Sequence, residues 1–393
     1  MTHAPPVALP HETVRRSRSR RPRTLCMVHN AVGTQNAIAK IAFGSVRHAL
    51  DAGWRVTVVA QHLDRSLVNE VEWLPLYVPP RLFLLQWLVA RSTIQAAMRG
   101  RAFDVLHVHQ AQVAALADVM QCHFLTRRAF EQDCLEQRRG FGPAAVRAQQ
   151  LGVLRAEDYY YRRWNPRTRM LFNSERTRQD FHGLYGTPAR EAVLPCPSPP
   201  LRFVTPEERM AARRALLGPA YDSSRIVVGY LGGLEERKGC RRLIEAVEAE
   251  PHLFLLMGGL YSENFVPSHS LRGRCQAVGT LHNAALEQFY AACDVVALPS
   301  RYEPFGMVAV EAAARGLPVI ATPEVGAIPH LLPFEVATLW HANTPLGPVV
   351  REARKRCSGF TDRAARMDAS LGEKAYGQYL LSVYEQILEE KKA

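Results

Sequence analysis

The sequence DVVALPSRYEPFGMVAVE, residues 294–311, carries the clearest structural signal in the chain. Its first part, Asp294–Ser300, is a short apolar run that predicts a buried strand. Its second part has a helical composition from Met307 to Arg315, after which Gly316 ends the pattern. A buried strand followed directly by a helix is the repeating unit of an open parallel α/β sheet, and such sheets bind ligands beyond the carboxyl ends of their strands. We therefore expect a ligand site just after Ser300.

Two glutamates in this stretch are candidates for ligand contacts. Pro304 suits the first turn of a helix, because a proline there lacks only an N–H that would have no partner. Glu303 then lies at the mouth of the helix, and Glu311 lies about two turns further along on a nearby face. One carboxylate can address the reactive end of a ligand and the other a diol further away. Unpaired amides at the helix start are expected to point at a phosphate or another oxygen-rich group; they belong to Phe305, Gly306 and Met307.

The composition fits two globular domains. A chain of 393 residues with 47% hydrophobic residues is long for one core and can fill two. The longest apolar run, Leu82–Ala90, is far shorter than the ~20 residues of a membrane-spanning helix. The N-terminus has no signal-peptide core and is rich in proline and arginine up to Arg23, which predicts a disordered basic tail.

The net charge of +12 restricts the possible partners. It comes almost wholly from arginine, and three anionic partners compete for it: nucleic acid, a membrane surface, and a charged donor or acceptor. No nucleic-acid-binding module is visible, so we expect no nucleic acid and favour an anionic membrane surface or a phosphorylated acceptor. The eight cysteines lack C-x-x-C and metal-ligand spacing, which predicts reduced thiols in a cytoplasmic protein. If the anionic partner is a membrane, we expect the protein to bind peripherally to its inner face.

Strand-like runs alternate with helical stretches along the chain, the pattern of doubly wound sheets. The run Pro195–Pro200 contains four prolines and fits neither a helix nor an internal strand, so we place the domain boundary there. We predict a tail over residues 1–23, an N-terminal domain over 24–197, a C-terminal domain over 198–370 and an amphipathic helix within 371–393. Strands are predicted at Thr24–His29, Trp54–Ala60, Asp104–His109, Met170–Asn173, Ile226–Leu231, Leu253–Met257, Asp294–Leu298 and Val319–Thr322.

The string Glu303-Pro304-Phe305-Gly306, with a second glutamate at position 311, resembles the signature of the GT4-type retaining glycosyltransferases. The resemblance covers nearly the whole chain from about Thr24. It implies a GT-B fold, an α/β architecture in which two Rossmann-like doubly wound domains face each other across a cleft. It also implies that the last helix crosses back to the N-terminal domain and that the donor substrate is a nucleotide sugar.

The resemblance also implies roles for the residues of the C-terminal half. Glu311 would accept hydrogen bonds from the ribose diol, and the amides that follow Pro304 in the donor-binding loop, those of Phe305, Gly306 and Met307, would stabilise the diphosphate. Glu303, as a catalytic residue, would hold hydroxyls of the donor sugar and stabilise the positive charge that develops at its anomeric carbon.

A second donor loop, Gly232–Gly239, is similar to the family's glycine-rich diphosphate loop. Gly232 and Lys238 are the donor-binding residues implied there, since a lysine after a tight turn suits a dianion. Gly233 stands where the family has an arginine, and Arg237 or Arg241 is left to supply that charge.

The N-terminal half contributes fewer candidates. Gly33 lies in the first strand–helix loop, where the family has a pair of glycines near the donor phosphates and this chain has Val32 for one of them. The stretch Val119–His123 resembles a family strand whose terminal histidine lies near the transferred sugar, so the resemblance implies a catalytic role for His123. His107 and His109 end another strand; from the alternation of side chains we expect at most one to face the cleft, and we favour His109 on the acceptor side. Ser174 is interpreted as a structural helix cap.

The segment from Leu82 to Arg101 has two interpretations. It is either a core helix with a broad apolar face or an interfacial helix whose arginines meet anionic lipid. We favour the core helix. The acceptor should enter near His123 and the residues between Leu82 and Arg139.

The function we predict is transfer of a sugar from a nucleotide-sugar donor to a glycan or lipid-linked acceptor, with retention, in cell-envelope polysaccharide or lipopolysaccharide biosynthesis. No Asp-x-Asp motif occurs in the chain, so we expect no metal ion and no cofactor. Two alternatives stay open. One is a nucleotide-sugar epimerase on the same scaffold, which needs no acceptor; the other is a catalytically degenerate protein that serves as a binding or scaffold subunit.

Overall fold

The computed structural model of the chain describes residues 21–76, 91–109, 116–132, 143–218, 221–260, 262–341, 343–356 and 358–392. Most of the predicted basic tail lies outside the described residues. Of the segment Leu82–Arg101, which has two interpretations, the apolar part Leu82–Ala90 also lies outside them, so both interpretations stay predictions. Within the described ranges the chain forms two α/β units, each built on a parallel sheet.

The N-terminal sheet has seven parallel strands in the order β5-β3-β1-β6-β7-β8-β9. The first strand lies inside the sheet, and the chain builds outward from it in both directions, which is the Rossmann arrangement with a switch point between β1 and β6. A short parallel pair, β2 with β4, lies beside it. The strands are β1 (Thr24–Val28), β2 (Ala31–Val32), β3 (Arg55–Ala60), β4 (His62–Leu63), β5 (Glu72–Pro75), β6 (Val105–His109), β7 (Val119–Cys122), β8 (Arg169–Phe172) and β9 (Glu191–Val193).

The C-terminal sheet has six parallel strands in the order β12-β11-β10-β13-β14-β15, again with the first strand central. Its switch point lies between β10 and β13, so a ligand is expected where these two strands end. All four residues of β13 are buried, as the apolar run predicted. The strands are β10 (Ile226–Leu231), β11 (Leu253–Gly258), β12 (Cys275–Ala277), β13 (Val295–Leu298), β14 (Val319–Ala321) and β15 (Ala337–Leu339).

Helices connect the strands and cover the sheets. Among the helices of the described residues, none combines the length and the apolar composition that crossing a bilayer requires. They are α1 (Ala37–Asp51), α2 (Thr126–Gln132), α3 (Pro143–Tyr161), α4 (Glu175–Tyr185), α5 (Pro206–Leu216), α6 (Cys240–Glu248), α7 (Asn283–Ala292), α8 (Met307–Ala314), α9 (Ile328–Leu331), α10 (Leu346–Lys355), α11 (Phe360–Leu371) and α12 (Glu373–Glu390).

The last helix, α12, returns to the N-terminal unit and packs against α1 and β6. Its apolar face is buried through Tyr376, Leu380 and Tyr384. Near its end, Glu390 forms ion pairs with Arg169 and Arg190, which lie at the start of β8 and just before β9. The chain therefore ends on the unit in which it began.

One predicted helix boundary is wrong. Pro304 does not lie in the first turn of a helix, because α8 begins at Met307 and its N-cap residue, Gly306, takes a left-handed conformation with φ 96°. Residues 303–305 stay in a loop, since the carbonyls of Glu303 and Phe305 accept hydrogen bonds from Gly326 and Ala327.

Candidate active site

A cavity of about 350 Å³ lies between the two units, at the carboxyl ends of their sheets. Its C-terminal wall comes from the ends of β10 and β13, the loop after β13 and the start of α8. Its N-terminal wall comes from the first turns of α1 and from residues that follow β7 and β8. The lining residues used below are Ile38, His123, Asn173, Tyr230, Arg237, Lys238, Glu303, Pro304, Phe305, Gly306 and Met307.

Glu303 and Lys238, 65 positions apart in the sequence, form an ion pair in this cavity. Both side chains are largely buried, with 13% and 25% of their surface exposed. Main-chain hydrogen bonds hold their loops together, because the carbonyl of Arg237 accepts from the amides of Arg301 and Tyr302 at 2.8 and 3.3 Å. These backbone contacts therefore hold Lys238 and Glu303 close to each other.

The loop that carries Lys238 depends on a glycine. Lys238 ends a 3₁₀ turn, and Gly239 follows with φ 68°, in the left-handed region. A Cβ atom at position 239 would lie 2.0 Å from the carbonyl oxygen of Pro299. Only glycine lets this loop approach the end of β13 so closely.

The amides of Phe305, Gly306 and Met307 lie beside this ion pair. No hydrogen bond from any of the described residues engages them. Met307 starts α8, so its amide and that of Val308 carry the positive end of the helix dipole. Although Pro304 lies outside the helix, the three residues that carry these amides do line the cavity.

His123 forms part of the opposite wall and is 4% exposed. Its Nε2 atom lies 2.9 Å from Nδ1 of His109, so one of these nitrogens donates a hydrogen bond to the other. The two rings are stacked, with their planes 6° apart. His109 is fully buried behind His123 and does not line the cavity.

Neither His107 nor His109 lines the cavity, but the argument that alternation places these two side chains on opposite faces is wrong. Their rings stack at 4.6 Å between centroids, because residues two apart on a strand lie on the same face. His29 packs edge-on against His109 at 5.7 Å, and Nδ1 of His107 lies 2.6 Å from the hydroxyl of Tyr384 on α12. Four buried histidines thus form a stack from the cavity to the last helix: His29, His107, His109 and His123.

Burial keeps this stack uncharged. Loss of hydration lowers the pKa of His107 to about 3, and it does the same for His123, where the neighbouring histidines lower the pKa further. Burial first, and then the neighbouring imidazoles, lower the pKa of His109 well below its usual value. In the described residues no group of three or more histidine, cysteine or acidic side chains is arranged to hold a metal ion.

Three other predicted site residues do not line the cavity. Glu311 lies in the middle of α8, where its carboxylate accepts a hydrogen bond from the hydroxyl of the buried Tyr290 at 2.7 Å. Gly33 and Gly232 lie in strand–helix loops; the amide of Gly33 donates to Ala39 and that of Gly232 to Gly258. The roles predicted for these three residues stay predictions.

Several residues of the cavity were not singled out from the sequence. Asn173 directly follows β8, so the rule that sites form at strand ends was the signal available for it. Ile38 and Tyr230 have no such signal, because an apolar residue or a tyrosine near a strand end is ordinary core composition. Ser174 does cap α4 as predicted, since its side chain accepts from the amide of Thr177.

Residues 219–338, which include Lys238, Glu303 and Glu311, match the family model described as glycosyl transferases group 1. This part of the chain is similar to the group 1 glycosyltransferases. A curated relative supports this: the chain is 33% identical over 181 residues to D-inositol 3-phosphate glycosyltransferase of Mycolicibacterium vanbaalenii, a match that covers 41% of this chain. The chain spans 39% of the length of that relative.

Solved glycosyltransferase structures share the whole architecture. WaaG, a glycosyltransferase involved in lipopolysaccharide biosynthesis, superposes with a TM-score of 0.66 at 17% identity, over 93% of this chain and 98% of WaaG. HepE of Anabaena, in complex with UDP-glucose, superposes with a TM-score of 0.63 at 17% identity, over 94% of this chain and 99% of HepE. The two-domain α/β structure is the GT-B fold, and the predicted fold class and family resemblance are confirmed.

Proposed function

We propose that this protein is a glycosyltransferase that moves a sugar from a nucleotide-sugar donor to a glycan or lipid-linked acceptor. The observation that carries the proposal is the cavity between the two units, in which the Glu303–Lys238 pair faces His123. The group 1 domain and the GT-B fold support it, because both belong to enzymes that use such donors. UDP-sugars are the first donors to test, since HepE has been solved with UDP-glucose.

Lys238 and the free amides at the start of α8 would bind the donor diphosphate. A compact ammonium group and unpaired N–H donors complement a dianion, and they stabilise the charge that the leaving group gains when the glycosidic bond breaks. Arg237, which also lines the cavity, is the better placed of the two arginines proposed to replace the family's missing one.

Glu303 would hold hydroxyls of the donor sugar and stabilise positive charge at the anomeric carbon. Lys238 balances the charge of Glu303 in the ion pair. When the diphosphate takes over Lys238, the Glu303 carboxylate is released toward the sugar. His123 would contact the same sugar as an uncharged hydrogen-bonding group, because burial keeps its pKa low.

Glu311 would bind the ribose from its position on α8. Its second carboxylate oxygen is the acceptor for this role, since Tyr290 already engages Oε2. Retention of configuration, independence of metal ions and an acceptor in cell-envelope polysaccharide or lipopolysaccharide biosynthesis complete the proposal. The basic balance of the chain supports an anionic acceptor or membrane surface at the cytoplasmic face.

A donor screen tests the proposal. Purified protein is incubated with UDP-, GDP-, ADP- and CMP-sugars, with and without a membrane glycolipid extract, and release of free nucleotide is measured. The expected result is turnover with one nucleotide class, stimulated by the extract and unaffected by EDTA. Turnover that EDTA abolishes and Mg²⁺ restores would contradict the metal-free mechanism. Absence of turnover from folded protein that still binds a nucleotide would favour the scaffold alternative.

A further inference from the structure

A buried polar network crosses from the N-terminal unit to the loop that carries Glu303. It consists of three side chains at the start of α4, namely Asn173, Ser174 and Thr177, each at most 3% exposed. Ser174 Oγ donates a hydrogen bond to the carbonyl oxygen of Pro304 at 2.5 Å. Thr177 Oγ1 lies 3.4 Å from the same oxygen. Pro304 directly follows Glu303, so this bond holds the neighbouring peptide of the candidate catalytic residue.

The hydroxyl of Ser174 does more than cap its helix. An N-cap side chain needs only an acceptor, and the Ser174 oxygen fills that role by accepting from the amide of Thr177 at 3.1 Å. The hydroxyl proton is not needed for capping, and it is directed across the domain boundary to Pro304. Helix capping therefore does not account for the contact.

Gly326 makes this contact sterically possible. A Cβ atom at position 326 would lie 2.0 Å from the Pro304 carbonyl oxygen and 2.7 Å from Ser174 Oγ. The Gly326 amide also donates to the carbonyl of Glu303 at 2.9 Å. The Glu303–Pro304 segment is thus held from its own domain by Gly326 and from the other domain by Ser174.

The same network reaches the opposite wall of the cavity. Thr177 Oγ1 donates to Asn173 Oδ1 at 2.7 Å, and Asn173 Nδ2 donates to the carbonyl of His123 at 2.9 Å. A continuous series of hydrogen bonds therefore joins the backbone of His123 to the backbone beside Glu303. These are the two residues that the proposed function places around the transferred sugar.

We propose that Ser174, assisted by Thr177, is a positioning residue that sets the Glu303 loop against the His123 wall when the two domains are closed. The inference rests on the proposed function and deepens it, because it assigns the assembly of the active site to one interdomain hydrogen bond. Displacement of a reacting group by about 1 Å can lower a rate by two orders of magnitude, so loss of this bond should reduce turnover. Donor affinity, which depends on the C-terminal domain, should change little.

The test compares Ser174→Ala with Thr205→Ala. Thr205 caps α5 and belongs to a capping box, but it is exposed and lies outside the cavity, so its replacement removes a cap without touching the domain boundary. A second pair, Thr177→Val and Thr177→Ser, removes or keeps a hydroxyl at nearly constant size. This pair decides the question if Ser174→Ala fails to fold.

Two readouts separate this inference from the proposed function. The first is hydrogen exchange of the Gly326 and Ala327 amides, which bond the Glu303 loop and need no substrate to be measured. The second is donor turnover, with KM and nucleotide affinity measured alongside kcat. We expect Ser174→Ala and Thr177→Val to exchange faster at these amides and to lose kcat by about tenfold or more, with KM for the donor nearly constant.

Thr205→Ala and Thr177→Ser should match the wild type in both readouts. Exchange in Ser174→Ala that equals exchange in Thr205→Ala would overturn the inference, whatever the activity. Faster exchange with unchanged kcat would overturn it as well. If the wild-type protein has no turnover, the proposed function fails, and the exchange experiment still decides whether Ser174 holds the loop.

Discussion

At the scale of single residues, the proposed active site centres on a lysine and a glutamate that two loops of one domain bring together. Both residues were predicted from the sequence, Lys238 from its glycine-rich loop and Glu303 from the string around it. Their direct contact was not predicted, because it depends on hydrogen bonds from Arg301 and Tyr302 to the Arg237 carbonyl. Such main-chain contacts between distant loops cannot be predicted from the sequence, because every residue type offers the same backbone carbonyl.

Replacement of Glu303 tests its catalytic role. In Glu303→Gln the side chain keeps its size but no longer carries the charge that stabilises the anomeric carbon. We expect turnover to fall by a hundredfold or more, about 2.7 kcal/mol in the activation free energy, with nucleotide affinity nearly unchanged. Glu389→Gln is the matched control, because Glu389 pairs with Lys392 on the exposed surface. Near-normal turnover of Glu303→Gln would remove this residue from the mechanism.

The buried histidines predict how stability depends on pH. The pKa values of these histidines are lowered in the folded protein. Between pH 6.5 and about pH 3 they are therefore protonated in the unfolded chain and neutral in the folded one. Stability is therefore complete above pH 6.5 and falls with decreasing pH, by up to about 1.4 kcal/mol per pH unit for each such histidine.

Urea unfolding between pH 7.5 and 5 measures this dependence. His107→Gln should flatten the slope, whereas His62→Gln, at an exposed position, should leave it as in the wild type. A wild-type stability that stays constant from pH 7 to pH 5 would contradict the account of a neutral, buried stack.

At the scale of secondary-structure elements, the apolar strands at the centre of each sheet were predicted, whereas most of the short strands and the loop conformations were not. Apolar runs such as Ile226–Leu231 are buried on both faces of a parallel sheet, so composition alone marks them. The start of α8 was misplaced, because Pro304 favours a first helical turn locally while hydrogen bonds from Gly326 and Ala327 hold the segment in a loop. Tertiary contacts decided that boundary.

Two glycines with opposite surroundings give a prediction at this scale. Gly239→Ala places a Cβ against the Pro299 carbonyl at a left-handed position, so we expect a loss of about 1–3 kcal/mol in unfolding free energy and weaker nucleotide binding through Lys238. Gly44→Ala, in the middle of α1 with no atom within 4 Å of the new Cβ, should instead stabilise the protein by about 0.5–1 kcal/mol. Thermal unfolding and nucleotide titration of both variants measure these effects. Equal stability of the two variants would contradict the requirement for glycine at position 239.

At the scale of the whole molecule, the last helix ties the end of the chain to the first domain. The sequence predicted that this helix is amphipathic. That it packs against the N-terminal domain was implied only by the family resemblance, because an apolar helix face does not identify the surface it packs against. The structure supplies the contacts: Tyr384 is fully buried, packs on Trp54 at 5.5 Å between ring centroids and bonds His107.

Tyr384→Ala tests this connection. Removing a fully buried aromatic side chain should lower the unfolding free energy by about 3–5 kcal/mol. Tyr384→Phe should cost only the hydrogen bond to His107, about 1 kcal/mol. Met210→Ala, at a side chain that is 55% exposed on α5, is the control and should stay within about 0.5 kcal/mol. Calorimetric unfolding ranks the three variants, and a Tyr384→Ala variant as stable as the control would show that α12 is not part of the core.

Nucleotide binding is the most direct test of the claim that the cleft holds a nucleotide-sugar donor. Isothermal titration calorimetry with UDP, GDP, ADP and CMP should give selective binding of one nucleotide to the wild-type protein. Lys238→Met should weaken that binding at least tenfold, about 1.4 kcal/mol, because the diphosphate loses its cation. Lys374→Met, at an exposed position on α12, should bind like the wild type. Binding of no nucleotide by folded protein, or equal affinity of Lys238→Met and wild type, would contradict the account.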